Sequence, residues 1–186
     1  MSQNSSSIPQ NYIIIGIVVI AIIAAGLYTQ MGGTGGDCVV KLGHILPTSG
    51  PLAAYAGGFQ AGVQAAVQEA NDNGGIDGCT VELIEEDSQT DPAASAAAAR
   101  KLVEVDQVHA IVGVYASSST LAAAPIVEDG KTIMISPAST SPEVTNAGDF
   151  IFRTAPSDAL QGVAMADLAW SQGHKTAAII FVNNQY

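Results

Sequence analysis

Hydrophobic and polar positions divide the chain into two regimes. From Tyr12 to Tyr28 apolar residues run almost without a break, with Ile13-Ile14-Ile15-Gly16-Ile17-Val18-Val19-Ile20 at the centre. From Val39 onward, short apolar runs alternate with stretches in which apolar residues recur every three or four positions. The short runs predict strands and the recurring pattern predicts helices. Strands are predicted over Val39 to Leu46, Thr80 to Glu86, Ala110 to Val114, Thr132 to Ser136, Phe150 to Thr154 and Thr176 to Val182. Between them fall helices over Gly57 to Asn73, Ala93 to Val105, Leu121 to Asp129 and Ser157 to Gln172. Phe59, Val63, Ala66, Val67 and Ala70 share one face of the first helix, and Trp170 lies on the apolar face of the last, where it is expected to join the core. The punctuation agrees. Asn73-Gly74-Gly75 stops the first helix, Asp91-Pro92 opens the second with a cap and a proline in its first turn, Pro142 can start a helical turn, and Ser157-Asp158 caps the last helix.

Strands alternating with helices through short Gly/Ser/Pro loops imply an α/β fold, a parallel sheet with helices on both faces. With the common strand order 2-1-3-4-5, ligands collect where the order reverses, between strands one and three. The loops there are Pro47 to Tyr55 and Tyr115 to Ser119. The second belongs to Gly113-Val114-Tyr115-Ala116-Ser117-Ser118-Ser119-Thr120, where a strand passes into a helix through small hydroxyl residues. Free N–H groups, the helix dipole and serine hydroxyls can together hold a small anion such as a carboxylate. The plain alternative is that the hydroxyls only cap the helix.

Residues 1–11 are polar and uncharged. As a helix, Tyr12 to Tyr28 would span about 26 Å, slightly less than a hydrocarbon core, with tyrosines at both interfaces. A cleaved signal peptide would carry a basic n-region, which is missing, although Ala24-Ala25-Gly26 offers small residues for cleavage. No lipobox precedes Cys38, because Gly35-Gly36-Asp37 lacks the apolar residue it requires. Met31 to Gly36 reads as part of a flexible linker over residues 29–37, not a phosphate loop, since it neither follows a strand nor opens a helix with Lys-Ser/Thr. The reading is an uncleaved membrane anchor over 12–28 with the following domain outside the cell membrane, or a secreted form if the segment is cleaved.

Charge sharpens this picture. All charged residues lie from Asp37 onward, 6 basic against 17 acidic for a net charge of −11. That balance argues against nucleic acid or an anionic membrane surface as a partner, since both need Lys/Arg patches. Hydrophobic residues make up 48% of the 186 positions, enough for a real core. Cys38 and Cys79 each precede a predicted strand. In a cytosolic protein they would be small buried residues; outside the membrane, on parallel neighbouring strands, they can pair. The disulfide is the reading adopted, contributing roughly 4 kcal/mol on the loop-entropy model. Their spacing fits neither a zinc site nor a CxxC redox motif.

Other chemistries fare worse. Ser117 to Ser119 lack the Gly-x-Ser-x-Gly elbow of a hydrolase, and His44, His109 and His174 fall in or beside predicted strands. Glu85-Glu86-Asp87 with Asp91 lacks calcium-loop spacing, so Asp87 is expected to end a strand and Asp91 to cap a helix. Arg153 reads equally as a partner for a carboxylate near the lobe crossover and as a plain surface residue. No metal and no cofactor is called for.

Six short motifs occur in one order: His44 to Pro51, Tyr55-Ala56-Gly57, Asn73-Gly74-Gly75-Ile76, Asp87 to Pro92, Ser117-Ser118-Ser119-Thr120 and Ile135 to Thr140. In that order they resemble the branched-chain amino acid-binding proteins of ABC transporters, with the type I periplasmic binding fold. The resemblance runs from about Val39 to Tyr186. It implies two α/β lobes closing on a small molecule by a hinge, with residues 38–155 as an incomplete first lobe and 156–186 as the crossover and start of the second, so that the chain reads as the front part of such a protein. It implies a ligand-binding set of Tyr55, Tyr115, Ala116, Ser117, Ala138, Ser139, Thr140 and Tyr186. Of these, Ser117, Ala138 and Thr140 would hold the ligand carboxylate, and the two outer tyrosines would pack on the ligand. Tyr115 stands where the family often has a smaller apolar residue, which argues against an aliphatic side-chain pocket and admits an aromatic acid, an amide or a urea-like ligand. The acidic residue that pairs the ligand ammonium in the family would lie beyond Tyr186. The implied partners are the ligand and the ABC permease subunits. The competing readings are the ectodomain of a signalling receptor with the same lobes and, less well supported, an amidase-like hydrolase.

Overall fold

The computed structural model describes residues 38–184 and Tyr186; the segment read as a membrane anchor, Tyr12 to Tyr28, lies outside the described residues. Among the described residues no helix is long and apolar enough to cross a membrane. The elements are β1 (Val39–Leu46), α1 (Ala56–Asp72), β2 (Thr80–Asp87), α2 (Pro92–Arg100), β3 (Ala110–Val112), α3 (Ser117–Asp129), β4 (Ile133–Ser136), β5 (Ile151–Arg153) and α4 (Asp158–Ser171). All strand pairs are parallel, and the sheet order is β2-β1-β3-β4-β5. The longest ladder runs from Val39 opposite Thr80 to Leu46 opposite Asp87. Both cysteines are disulfide-bonded, and each directly precedes one member of the Val39–Thr80 pair that opens this ladder.

Successive residues of a strand face opposite sides of the sheet, and β1 shows what each side became. Ile45 is fully buried in a cluster with Ala98, Ala99 and Leu102 from α2 and the turn after it, and with Ala123, Ala124 and Val127 from α3. Alanine at these positions lets both helices lie close to the sheet, and the side chains between them interdigitate. Below them Gly43 leaves no room: a Cβ there would sit 2.9 Å from Leu102. His44 is also fully buried, but it faces the side of α1, where Phe59, Val63, Val67 and Ala70 are half-buried and Ala66 is exposed.

The helix ends follow local chemistry. The Asp91 carboxylate accepts a bond from the Ala94 N–H (2.8 Å) at the start of α2, with Pro92 in the first turn. Ser141 caps the short 3₁₀ turn Pro142–Asn146 in the same way, and Ser157 caps α4. The second helix is shorter than its periodicity suggests, because Lys101–Asp106 widens into a π turn. Lys101 is held there by Glu86 (2.6 Å) and Asp106 (2.9 Å).

Two expectations fail at the C-terminal end. Residues 176–182 form no strand, since neither sheet edge, β2 or β5, pairs with them. The apolar face of α4 is likewise uncovered: the helix buries none of its residues, and Trp170 is 67% exposed rather than in the core. Periodicity marks a face that would bury but does not supply the surface against it. Among the described residues that surface is missing.

One backbone position has little freedom. Gly113, leaving β3, has φ +114°, and a Cβ there would come within 2.3 Å of the Ile45 carbonyl oxygen. Gly113→Ala is expected to lower the unfolding free energy by about 2–3 kcal/mol. Urea denaturation checks this as a lower midpoint with an unchanged slope.

Candidate ligand-binding site

The strand order reverses between β1 and β3, and a cleft of about 530 Å³ opens beside their carboxyl ends. Pro51, Leu52 and Thr90 form one rim. The loop after β3 and the first turn of α3 supply Tyr115, Ala116, Ser117 and Ser118, the loop after β4 supplies Ala138 and Thr140, and Val182, Asn184 and Tyr186 approach from the C-terminal stretch. Of the eight residues implied by resemblance, Tyr115, Ala116, Ser117, Ala138, Thr140 and Tyr186 therefore share one cleft. Tyr55 and Ser139 do not line it. Tyr55 is 61% exposed and stacks on Phe59 with ring centres 6.3 Å apart, while the Ser139 side chain is buried behind the cleft wall.

The first turn of α3 differs from its sequence reading. Ser117 to Thr120 are inside the helix, and the N-cap is Ala116, with no side-chain cap. The hydroxyls are thus not caps. The bond from Thr120 N–H to Ala116 carbonyl (2.9 Å) is the first of the helical ladder, so the N–H groups of Ser117, Ser118 and Ser119 precede it. With Ser117 and Ser118 on the cleft, the positive end of the helix dipole borders the cavity.

Each hydroxyl has its own place. The Ser117 oxygen accepts a bond from Ser141 N–H (3.2 Å), which leaves its own hydrogen to donate. The hydroxyl oxygens of Thr120, Ser136 and Ser139 all lie within hydrogen-bond distance of the Val114 carbonyl oxygen and of one another, with Thr120 and Ser139 oxygens 2.7 Å apart, so their three hydrogens are shared among these contacts. Ser139 is therefore part of the frame. The Thr140 hydroxyl donates to the Asp158 carboxylate (2.7 Å), and Asp158 N–H returns a bond to the Thr140 carbonyl (2.9 Å). A hydroxyl whose hydrogen is already engaged meets a ligand as an acceptor, not as the carboxylate donor expected from the sequence. Arg153 fixes the same loop by donating to the carbonyls of Ser141 (2.7 Å) and Ser139 (3.4 Å) and to the Thr145 hydroxyl (2.6 Å). Neither of its two sequence readings anticipated a clamp on backbone carbonyls.

The rim is tied together as well. Asp87, the last residue of β2, accepts from the Ser49 hydroxyl (2.6 Å) and from Gln89 N–H (2.8 Å), and Leu52 N–H donates to Thr90 (3.2 Å). Burial works against the Asp87 carboxylate, but the bonds from Ser49 and Gln89 outweigh it and hold its pKa below the ordinary value.

Behind Tyr115 lies a chain of polar groups, buried at His44 and partly exposed at Glu85. His44 Nδ1 is 3.1 Å from Glu85 Oε1, and His44 Nε2 is 2.7 Å from the Tyr115 hydroxyl. The second Glu85 oxygen accepts from Gln60 of α1 (2.7 Å). A carboxylate oxygen only accepts, so Nδ1 carries the imidazole hydrogen and Nε2 accepts from the phenol. Burial pushes the His44 pKa down, more than its bond to Glu85 raises it. Burial, with the Glu85 charge adding to it, pushes the Tyr115 phenol up to about 12. Both groups are therefore neutral at pH 7.

Comparison with known proteins gives the following. A family model described as periplasmic binding protein matches residues 39–186. The leucine-, isoleucine-, valine-, threonine-, and alanine-binding protein of Pseudomonas aeruginosa is 38% identical over 149 residues, 79% of this chain and 40% of that protein. The chemotactic signal transduction system substrate-binding protein BasB of Halobacterium salinarum is 32% identical over 157 residues, covering 79% of this chain and 38% of that protein. Among solved structures, the branched-chain amino acid transporter substrate binding protein LivJ of Streptococcus pneumoniae, in complex with isoleucine, superposes with a TM-score of 0.67 at 34% identity over 70% of this chain and 38% of that one. The chain thus spans about 40% of the length of the curated relatives it matches.

The depressed His44 pKa has a consequence for stability. The unfolded chain takes up this proton near pH 6.5 and the folded chain only at lower pH, so the stabilisation is complete above about pH 6.5 and is lost as pH falls through the folded value. Unfolding free energy measured in urea is expected to decline from pH 7 to pH 5, and His44→Gln should flatten that part of the curve.

Proposed function

The chain belongs to the periplasmic binding protein family, and from that premise we propose that it is a solute-binding module that captures a small amino acid outside the cell membrane and delivers it to the permease of an ABC-type transporter. The observation that carries this reading is the start of α3: a helix N-terminus with no side-chain cap, opening on a cleft beside a serine hydroxyl with a hydrogen to donate. Such a terminus suits a carboxylate, and each charge-assisted bond there contributes about 1.5–3 kcal/mol. The Thr140 oxygen, with its hydrogen on Asp158, suits the ligand ammonium. The two ends of an amino acid would then be read by different chemistry on the α3 turn and the loop after β4. Ala138 and Tyr186 would add contact area from either side, and neither metal nor cofactor has a part in this scheme. Binding, not turnover, is the activity proposed.

The relatives support the choice of ligand. The Pseudomonas protein is named for five amino acids, and the Streptococcus structure holds isoleucine. We further propose that Tyr12 to Tyr28 tethers the module to the membrane, with residues 29–37 as linker, 38–155 as first lobe and 156–186 as the crossover into a second. A sensing role is the second reading, favoured by the likeness to a substrate-binding protein of a chemotactic system. In that case the same cleft reports on the amino acid to a membrane receptor.

Calorimetric titration with L-leucine, L-isoleucine and L-valine tests the proposal. Saturable binding of at least one is expected, and failure of all three would remove it. Ser117→Ala should lower affinity for L-leucine and for its des-amino analogue 4-methylpentanoate alike, by about tenfold or more. Thr140→Val should weaken L-leucine more than 4-methylpentanoate.

A further inference from the structure

His44 and Glu85 do not line the cleft, yet they decide what one of its walls is made of. The Tyr115 ring lies against Phe59, with centres 3.9 Å apart and planes 16° from parallel, and meets His44 edge-on at 5.8 Å. Its hydroxyl is bonded to Nε2 of the fully buried His44 (2.7 Å). An unprotonated Nε2 is only there because Glu85, from the neighbouring strand, holds the hydrogen on Nδ1, and Gln60 from α1 holds Glu85 in turn. His44 is fully buried and Tyr115 is 6% exposed, so no water competes for the bond between them. With that hydroxyl engaged, what the Tyr115 side chain has left to offer the cleft is carbon, beside Pro51, Leu52 and Val182.

We propose that His44 is a specificity-determining positioning residue: backed by Glu85, it keeps the Tyr115 hydroxyl inside the lobe, so that the cleft selects amino acids with apolar side chains over those with polar ones. The inference rests on the reading of this cleft as an amino-acid site. It assigns the selectivity to a contact behind the wall, made by a residue that never touches the ligand. Without an acceptor at Nε2, a buried phenol carries a desolvation cost and relieves it by turning its hydroxyl toward water or a ligand. The wall then offers a polar group, and a ligand hydroxyl or amide gains where an aliphatic side chain loses.

The test is a selectivity ratio, affinity for L-leucine over affinity for L-threonine, measured by calorimetry on the full chain. His44→Leu is expected to lower this ratio about tenfold. Adding Tyr115→Phe to His44→Leu removes the stranded hydroxyl and should recover most of that tenfold relative to the single variant. Glu85→Gln, at a partly exposed position, is the variant for the case in which His44→Leu does not fold. It relaxes the constraint on the imidazole hydrogen and should lower the ratio about threefold, a smaller loss of the same sign. A merely structural role would weaken both ligands equally and leave the ratio unmoved. An unchanged ratio in folded Glu85→Gln and His44→Leu, or a double variant no better than His44→Leu, would overturn the inference while leaving the amino-acid site intact. Failure of the unsubstituted chain to bind either amino acid would instead overturn the reading of the cleft, and the inference with it.

Discussion

Three hydroxyls converge on the carbonyl oxygen of Val114, and the shape of the cleft depends on that convergence. Thr120 brings the first turn of α3, Ser136 the end of β4, and Ser139 the loop beyond it. One backbone acceptor thereby fixes three segments relative to the exit of β3, and it does so out of contact with water. In a low-dielectric interior such a network is stiff when every member is satisfied. The hydroxyls it consumes are unavailable to a ligand. What remains on the cleft is a helix turn with no side-chain cap, with Ser117, Ser118 and Thr140, held at fixed spacing by groups behind its wall.

The two faces of the sheet carry different duties. On the Ile45 face, alanine-rich helices and buried aliphatic side chains supply the core, and substitutions there act through packing and cavities. On the His44 face, the half-buried stripe of α1 leaves room for a polar chain from Gln60 through Glu85 and His44 to Tyr115. Adjacent residues of one strand thus belong to different environments, Ile45 to an apolar core and His44 to a polar chain. A change at position 45 and a change at position 44 should therefore differ in kind as well as in size.

Much of this was legible in the residues. The strand order, the bounds of β1, the Asp91 cap and the place of the cleft all follow from period, punctuation and the rule for parallel sheets, because these are local or topological properties. Of the eight residues that the resemblance implied for a site, Tyr115, Ala116, Ser117, Ala138 and Thr140 line the cleft because the loops after β3 and β4 meet there, and Tyr186 reaches it from the C-terminal stretch. Ser139 was misplaced because a hydroxyl in a site loop looks the same whether it faces ligand or frame. Thr140 does line the cleft, but where its hydrogen goes depends on Asp158, eighteen positions away and visible only in three dimensions. His44 looked like an ordinary strand histidine. The signal for it was the pairing of a polar residue in an apolar strand with Glu85 at the matching register of the next. Trp170 and residues 176–182 failed for the opposite reason, since their apolar character was real and its counterpart surface is missing among the described residues.

That exposed end of the chain carries one more detail. The Lys175 ammonium sits 3.3 Å above the Trp170 ring, a cation–π contact at the outer surface of α4. Trp170 is the single tryptophan in the sequence and does not line the cleft. Its fluorescence therefore reports on the environment of this one helix face, without an added label. Whatever docks on the apolar side of α4 would dry the indole and shift its emission toward the blue, while ligand entering the cleft alone would leave the colour as it was.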